Sequence, residues 1–182
     1  MSEYVINHVP GMIELAGKTV DKFGKDSTGS IQYSFNNQGF RSLFDYCDTP
    51  DYAFFGCSLV FGIGVNEQQT FAGMFANSHN YGLAGSYTNQ DVFKVIQNFD
   101  QIYSNPAIKK VVFWTDRDQH LLLDYSPELV KKGFIQFFCG ELLPYQNCFQ
   151  MIPQVDMDVS QTHMGSKSHA MMYKILCALF NQ

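Results

Sequence analysis

The segment from Lys109 to Tyr125, KKVVFWTDRDQHLLLDY, constrains the fold of this chain more than any other. It holds an apolar run at Val111-Val112-Phe113-Trp114, a charged tip from Thr115 to Gln119, and a second apolar run ending at Asp124. Two short runs of β-branched, aromatic and leucine residues around a polar cluster have the pattern of two antiparallel strands and their turn. A hairpin at 109–125 sets the only tryptophan beside the densest group of ionisable side chains.

Elsewhere the chain alternates between strand-like and helix-like periods. Met12, Ile13, Ala16, Val20 and Phe23 share one helical face ahead of Gly24, which predicts a helix over 10–23. Ile31, Tyr33 and Phe35 alternate with polar residues as a strand does, and Asn36-Asn37-Gln38-Gly39 is a turn signal leading to a partner strand over 40–46, although Leu43-Phe44 could equally open a short helix. Tyr52 to Val65 reads as a central strand that bends at its glycines, with a return strand over 70–76 and a long polar loop over 77–89. Asn89 opens a helix through Ile102 whose apolar face is Val92, Phe93, Ile96 and Phe99. After the hairpin come a short helix from Ser126 to Gly133, strands over 134–139 and 148–152, an irregular stretch over 154–167, and a final helix from Ser168 with a broad apolar face.

Adjacent strands interrupted by helices predict one α+β domain over 1–182, with a largely antiparallel sheet and helices near the N-terminus, in the middle and at the C-terminus. A length of 182 residues suits a single sizeable core, and no repeat or low-complexity linker marks a boundary.

Composition narrows the function classes. Charged residues are 16% of the chain against the usual quarter or so, while aromatics reach 15%, which suits a large aromatic core, a cavity, or a surface covered by a partner. The net charge is −5 and the lysines and arginines are scattered, so neither nucleic acid nor an anionic membrane is an expected partner. No apolar run approaches the roughly 18 residues of a membrane span, and the first residues lack a signal-peptide pattern. Five cysteines, odd in number and without CxxC spacing, fit free thiols in a reducing compartment, so the expected location is cytoplasmic.

Several constellations carry chemistry on paper. Asp116, Asp118 and His120 alternate at the hairpin tip, with Asp124 nearby, but Arg117 opposes a cation there and a solvated tip accounts for the charges, so no metal site is expected. His120, Asp124 and Cys139 form a candidate base, orienting acid and thiol nucleophile, although an aromatic-flanked cysteine is more often an inert hydrophobe. His79 is an alternative base, and His163 with His169 an alternative metal pair. Gly62-Ile63-Gly64 lacks the remaining residues of a phosphate loop.

Rings concentrate around the expected hairpin at Tyr103, Phe113, Trp114, Tyr125, Phe137 and Phe138. A solid core is the plainer account, but a cavity flanked by Tyr103, Trp114 and Tyr125, with Asp124 anchoring a donor, would hold a small organic ligand. The leading expectation is therefore a sensory or regulatory domain that binds a small molecule, with no particular cofactor implied. Its final helix offers a surface for a protein partner. The alternatives are a hydrolase using the Cys/His/Asp set or a metal, and a protein-interaction module such as an inhibitor, an immunity-type protein or a virion component.

Overall fold

A computed structural model of the chain describes residues 13–21, 31–42, 44–46, 49–85, 87–139, 143–151, 155–157 and 163–181. In chain order the strands and α-helices are β1 (Thr19–Val20), β2 (Tyr33–Ser34), β3 (Tyr52–Gly56), α1 (Ser58–Phe61), β4 (Ser78–Gly82), α2 (Asn89–Ile102), β5 (Lys109–Trp114), α3 (Leu122–Lys131), β6 (Ile135–Phe138), β7 (Cys148–Gln150) and α4 (Ser166–Phe180). Single 3-10 turns occupy Ile13–Leu15, Glu67–Gln69 and Gln119–Leu121.

The main sheet has five strands in the order β4-β3-β5-β6-β7, and every neighbouring pair is parallel. A parallel sheet covered on both faces needs strands that are apolar throughout, and β5 is such a strand. Val111 and Phe113 pack on one face with Phe54, Phe71, Phe137, Met172 and Leu176. Val112 and Trp114 pack on the other with Phe55, Phe99, Leu122, Leu129 and Phe138. Burial of each such side chain contributes about 1.5–3 kcal/mol, so the two layers dominate the stability.

Parallel strands need crossover connections, and right-handed crossovers that run in opposite directions lie on opposite faces. The passage from β3 outward to β4 sets Phe71 and Phe75 on the face shared with α4, whereas the passages from β4 to β5 and from β5 to β6 set α2 and α3 on the other. Glycine permits the closest approaches. A Cβ on Gly56, at φ +151°, would lie 2.7 Å from the Phe113 carbonyl oxygen, and one on Gly82 would strike the backbone of Phe61 in α1. The small antiparallel pair β1-β2 adds Tyr33 to the α2/α3 side of the core.

This architecture is α/β and corrects the expected α+β domain with a largely antiparallel sheet. The expected hairpin at 109–125 is one strand followed by a 3-10 turn and α3. Leu122, Ser126 and Leu129 are buried at the spacing of one helical face, and that period wins over the three-leucine run. The strand expected over 70–76 is a series of turns, and β4 lies instead within the supposed loop over 77–89. The apolar stretch 52–65 is a strand only to Gly56. Beyond it, α1 and left-handed glycines at 62 and 64 turn the chain, and the buried Arg41 guanidinium donates to the carbonyls of Phe61, Gly62 and Val65.

Of the helix expected over 10–23, residues 13–21 contain a 3-10 turn and β1, and 10–12 and 22–23 lie outside the described residues. The turn at Asn36–Gly39 forms, but its return arm contributes a single bridge, Phe35 to Arg41. Among the described residues, no helix is long and apolar enough to cross a membrane.

Candidate functional site

The strand order reverses between β3 and β5: the chain leaves β3 for β4 on one side and returns to β5 on the other. The connections after these two strands diverge to opposite faces, which leaves a crevice beyond their carboxyl ends where open α/β sheets bind ligands. In this protein that crevice is a hollow of about 250 Å³, open to solvent. Its walls come from Cys57, Ser58 and Leu59 after β3, Leu83, Gly85 and Tyr87 after β4, Thr115, Asp116 and Arg117 after β5, Cys139 after β6, and His163 just before α4.

Ser58 starts α1, so its hydroxyl stands at the strand-to-helix corner. His163 Nε2 lies 3.1 Å from Ser58 Oγ, a hydrogen bond between residues 105 positions apart in the chain. His163 is delivered by a compact knot at the start of α4. The Asp156 carboxylate accepts from the backbone amides of Lys167 and Ser168, at 2.9 and 2.7 Å, and from the Ser168 hydroxyl at 2.7 Å. Gly165 donates its amide to the Asp156 carbonyl, and Met157 bridges to Met164 directly after the histidine. Desolvation by itself would raise the Asp156 pKa, but these donors more than offset it and hold the carboxylate below its usual range.

The loop after β5 adds Asp116 and Arg117 to the lining, both exposed. Asn89, at the start of α2, accepts from the Thr115 amide and hydroxyl and donates to the carbonyls of Thr115 and Arg117. The Arg117 guanidinium also reaches toward the Gly85 carbonyl, at 3.4 Å. The thiols in the hollow are held protonated. Burial pushes the Cys57 pKa up, and its contacts with the Leu59 amide, its own amide, Ser58 and Arg117 only partly reverse this. Cys139 is exposed by surface area, yet desolvation, followed by the proximity of Cys57 and Asp116, pushes its pKa up to about 12.

The residues singled out by sequence fall in several places. Cys139 lines the hollow, whereas His120 and Asp124 are exposed on the 3-10 turn before α3 and on its first turn. Trp114 and Tyr125 do come together, with ring centroids 6.4 Å apart, but Trp114 is fully buried and Tyr125 stacks on Phe93 at 3.9 Å. Tyr103 packs against Phe99 and His79 at the far end of α2. None of Tyr103, Trp114, Asp124 and Tyr125 is among the residues lining the hollow.

Asp116 and Asp118 do not alternate along an extended segment, because Asp118 takes a left-handed turn at φ +52° and a 3-10 turn follows. His79 is buried against Tyr46 and Tyr81. His163 and His169 part company, the latter accepting the Phe71 amide in the core. Among the described residues, no group of three or more His, Cys, Asp or Glu side chains is arranged to hold a metal ion.

Sequence reasoning missed Ser58, Arg117 and Asn89 as site residues and gave His163 a different partner. A weak signal existed for the first: Ser58 is the one polar side chain in the otherwise apolar and glycine stretch 53–65. The Ser58–His163 pairing has no local signal, since it depends on the last helix returning to the first strand of the main sheet. Comparison with protein-family models, with curated proteins and with solved structures finds no match to this chain.

Proposed function

We propose that this protein is a hydrolase of small esters, with Ser58 as nucleophile and His163 as its general base. The observation that carries the reading is the 3.1 Å contact between Ser58 Oγ and His163 Nε2 inside the crevice at the strand-order reversal. With the imidazole proton on Nδ1, Nε2 takes the hydroxyl proton as Ser58 Oγ bonds to the ester carbonyl carbon. The tetrahedral oxyanion faces the Arg117 guanidinium, the one lysine or arginine side chain among the described residues that line the hollow. Collapse breaks the ester bond, and the departing alkoxide recovers the proton from His163. Water then repeats the sequence on the acyl-serine and releases the acid. A hollow of about 250 Å³ suits a small acyl group.

The test is covalent labelling and turnover together. A fluorophosphonate probe is expected to label Ser58, and Ser58→Ala is expected to abolish both the label and the hydrolysis of 4-nitrophenyl acetate, a loss of about 10³-fold or more. Undiminished turnover in Ser58→Ala overturns the reading.

A second reading keeps the small-molecule sensory or regulatory role without turnover, and the crevice's position at the strand reversal favours it, since that position serves any ligand. Its mark would be a ligand that raises the melting temperature equally in the native protein and in Ser58→Ala. The buried residues Met172 and Leu176 of α4 pack on the sheet, and Met171 on the same helix is exposed. The described cysteines 57, 139, 148 and 177 are free thiols, which suits a reducing compartment.

A further inference from the structure

Asn89 is fully buried, yet its side chain serves neither its own helix nor the apolar core around it. The start of α2 is already satisfied: Thr88 Oγ1 accepts the Asp91 amide, and Asp91 returns its carboxylate to the Thr88 amide at 2.9 Å. The Asn89 amide is thereby released for another task, and among the described residues its side-chain hydrogen bonds go to one loop. Oδ1 accepts from the Thr115 backbone amide and hydroxyl, both at 3.1 Å. Nδ2 donates to the Thr115 carbonyl at 3.1 Å and to the Arg117 carbonyl.

A planar carboxamide with two donors and two acceptor positions is the side chain best matched to a strand-to-loop corner that offers both carbonyls and N–H groups. Its geometry is rigid, since a buried group with every polar atom engaged has no alternative arrangement of similar energy. The clamped loop carries Asp116 and Arg117, which line the same hollow as Ser58. The loop's own bond, from the Arg117 amide to Thr115 Oγ1 at 3.2 Å, ties the same two residues together and leaves Asn89 as the tether to the helix layer.

We infer that Asn89 is a positioning residue: it holds the backbone of Thr115 and Arg117 so that the Arg117 guanidinium meets the oxyanion formed on Ser58. This rests on the reading of Ser58 and His163 as an ester-hydrolysing pair. Asn89 does not touch substrate, so its whole effect passes through Arg117, and that is where the inference differs from a general role in folding.

The experiment is a double-mutant cycle on the full chain with 4-nitrophenyl acetate as substrate, using Asn89→Ala, Arg117→Ala, the double variant, and Ser58→Ala as the reference for loss of the reaction. Asn89→Ala is expected to lower kcat about a hundredfold with KM changed less than about threefold, because misplacing a charge-stabilising group by about 1 Å has that effect. In the Arg117→Ala background the same substitution is expected to lower kcat by less than about twofold. Losses that multiply across the cycle overturn the positioning role, even with Ser58→Ala inactive.

Full activity in Ser58→Ala overturns the underlying reaction instead, so the two failures are distinguishable. Asn89→Asp, which keeps the acceptor for the Thr115 amide and hydroxyl and removes the donor to the Thr115 and Arg117 carbonyls, carries the same cycle should Asn89→Ala fail to fold. An Asn89→Asp loss that persists in the Arg117→Ala background likewise overturns the role.

Discussion

The indole N–H of Trp114 donates to the side-chain carbonyl of Gln136 across 2.9 Å, and both residues are fully buried. Gln136 Nε2 in turn donates to the Ser126 backbone carbonyl at 3.1 Å, so one amide links β5, β6 and α3. Gln136→Leu keeps the volume but strands the indole N–H without a partner and removes the side-chain donor that ties β6 to the Ser126 carbonyl of α3. An unsatisfied buried donor costs about 1–3 kcal/mol, so a destabilisation of that size is expected. Urea unfolding followed by Trp114 fluorescence reads it directly, since the chain has only one tryptophan. An unchanged midpoint would contradict the link.

His79 makes the folded state sensitive to acid. The ring is almost fully buried, lies flat on Tyr46 at a centroid distance of 4.1 Å, and shares a hydrogen bond with the Tyr81 hydroxyl. Burial lowers its pKa from 6.5 to about 4. Because the folded state binds this proton more weakly than the unfolded chain, the contribution is complete above about pH 6.5 and is lost as pH falls towards 4. At pH 4.5 the loss should be about 2–3 kcal/mol relative to pH 7. His79→Phe should lose that much less over the same interval. Asp156, whose lowered pKa acts in the same direction, is common to both proteins and cancels. Equal acid sensitivity in the two proteins would remove His79 from the account.

Cys139 should behave as an unreactive thiol despite its exposure. With its pKa pushed up to about 12, the thiolate fraction at neutral pH is minute. Alkylation by iodoacetamide, followed on the Cys139 peptide by mass spectrometry, should be slow at pH 7 and rise about tenfold per pH unit to pH 10 without levelling. A plateau below pH 9 would return Cys139 to the list of nucleophiles.

Local patterns made part of the fold legible. The apolar face of α2 at Val92, Phe93, Ile96 and Phe99 is buried as its spacing predicts, and Val111–Trp114 is a strand. Strand direction is not encoded by the period-two alternation of a strand, which is the same beside parallel and antiparallel neighbours. The clue that favoured a parallel sheet was that Val111, Val112, Phe113 and Trp114 are all large and apolar, which only burial on both faces explains. The leucines at 121–123 misled for a different reason: three in a row fit either period, and the deciding residues, Ser126 and Leu129, lie beyond the run. The tip residues Asp116 and Arg117 drew notice as charges, but their neighbours Cys57, Gly85 and His163 are remote in the chain.

What the chain determined by itself was local. It set the helix over Asn89–Ile102, the strand at Val111–Trp114 and which of their side chains seek burial, because each follows from residue type and near-neighbour spacing. Direction, layer and site were decided only by tertiary structure. The order β4-β3-β5-β6-β7 brings the carboxyl ends of β3 and β5 to one crevice, and the return of α4 sets His163 against Ser58. No local period encodes a contact spanning 105 positions; it exists because crossovers on opposite faces of one parallel sheet part at a single place.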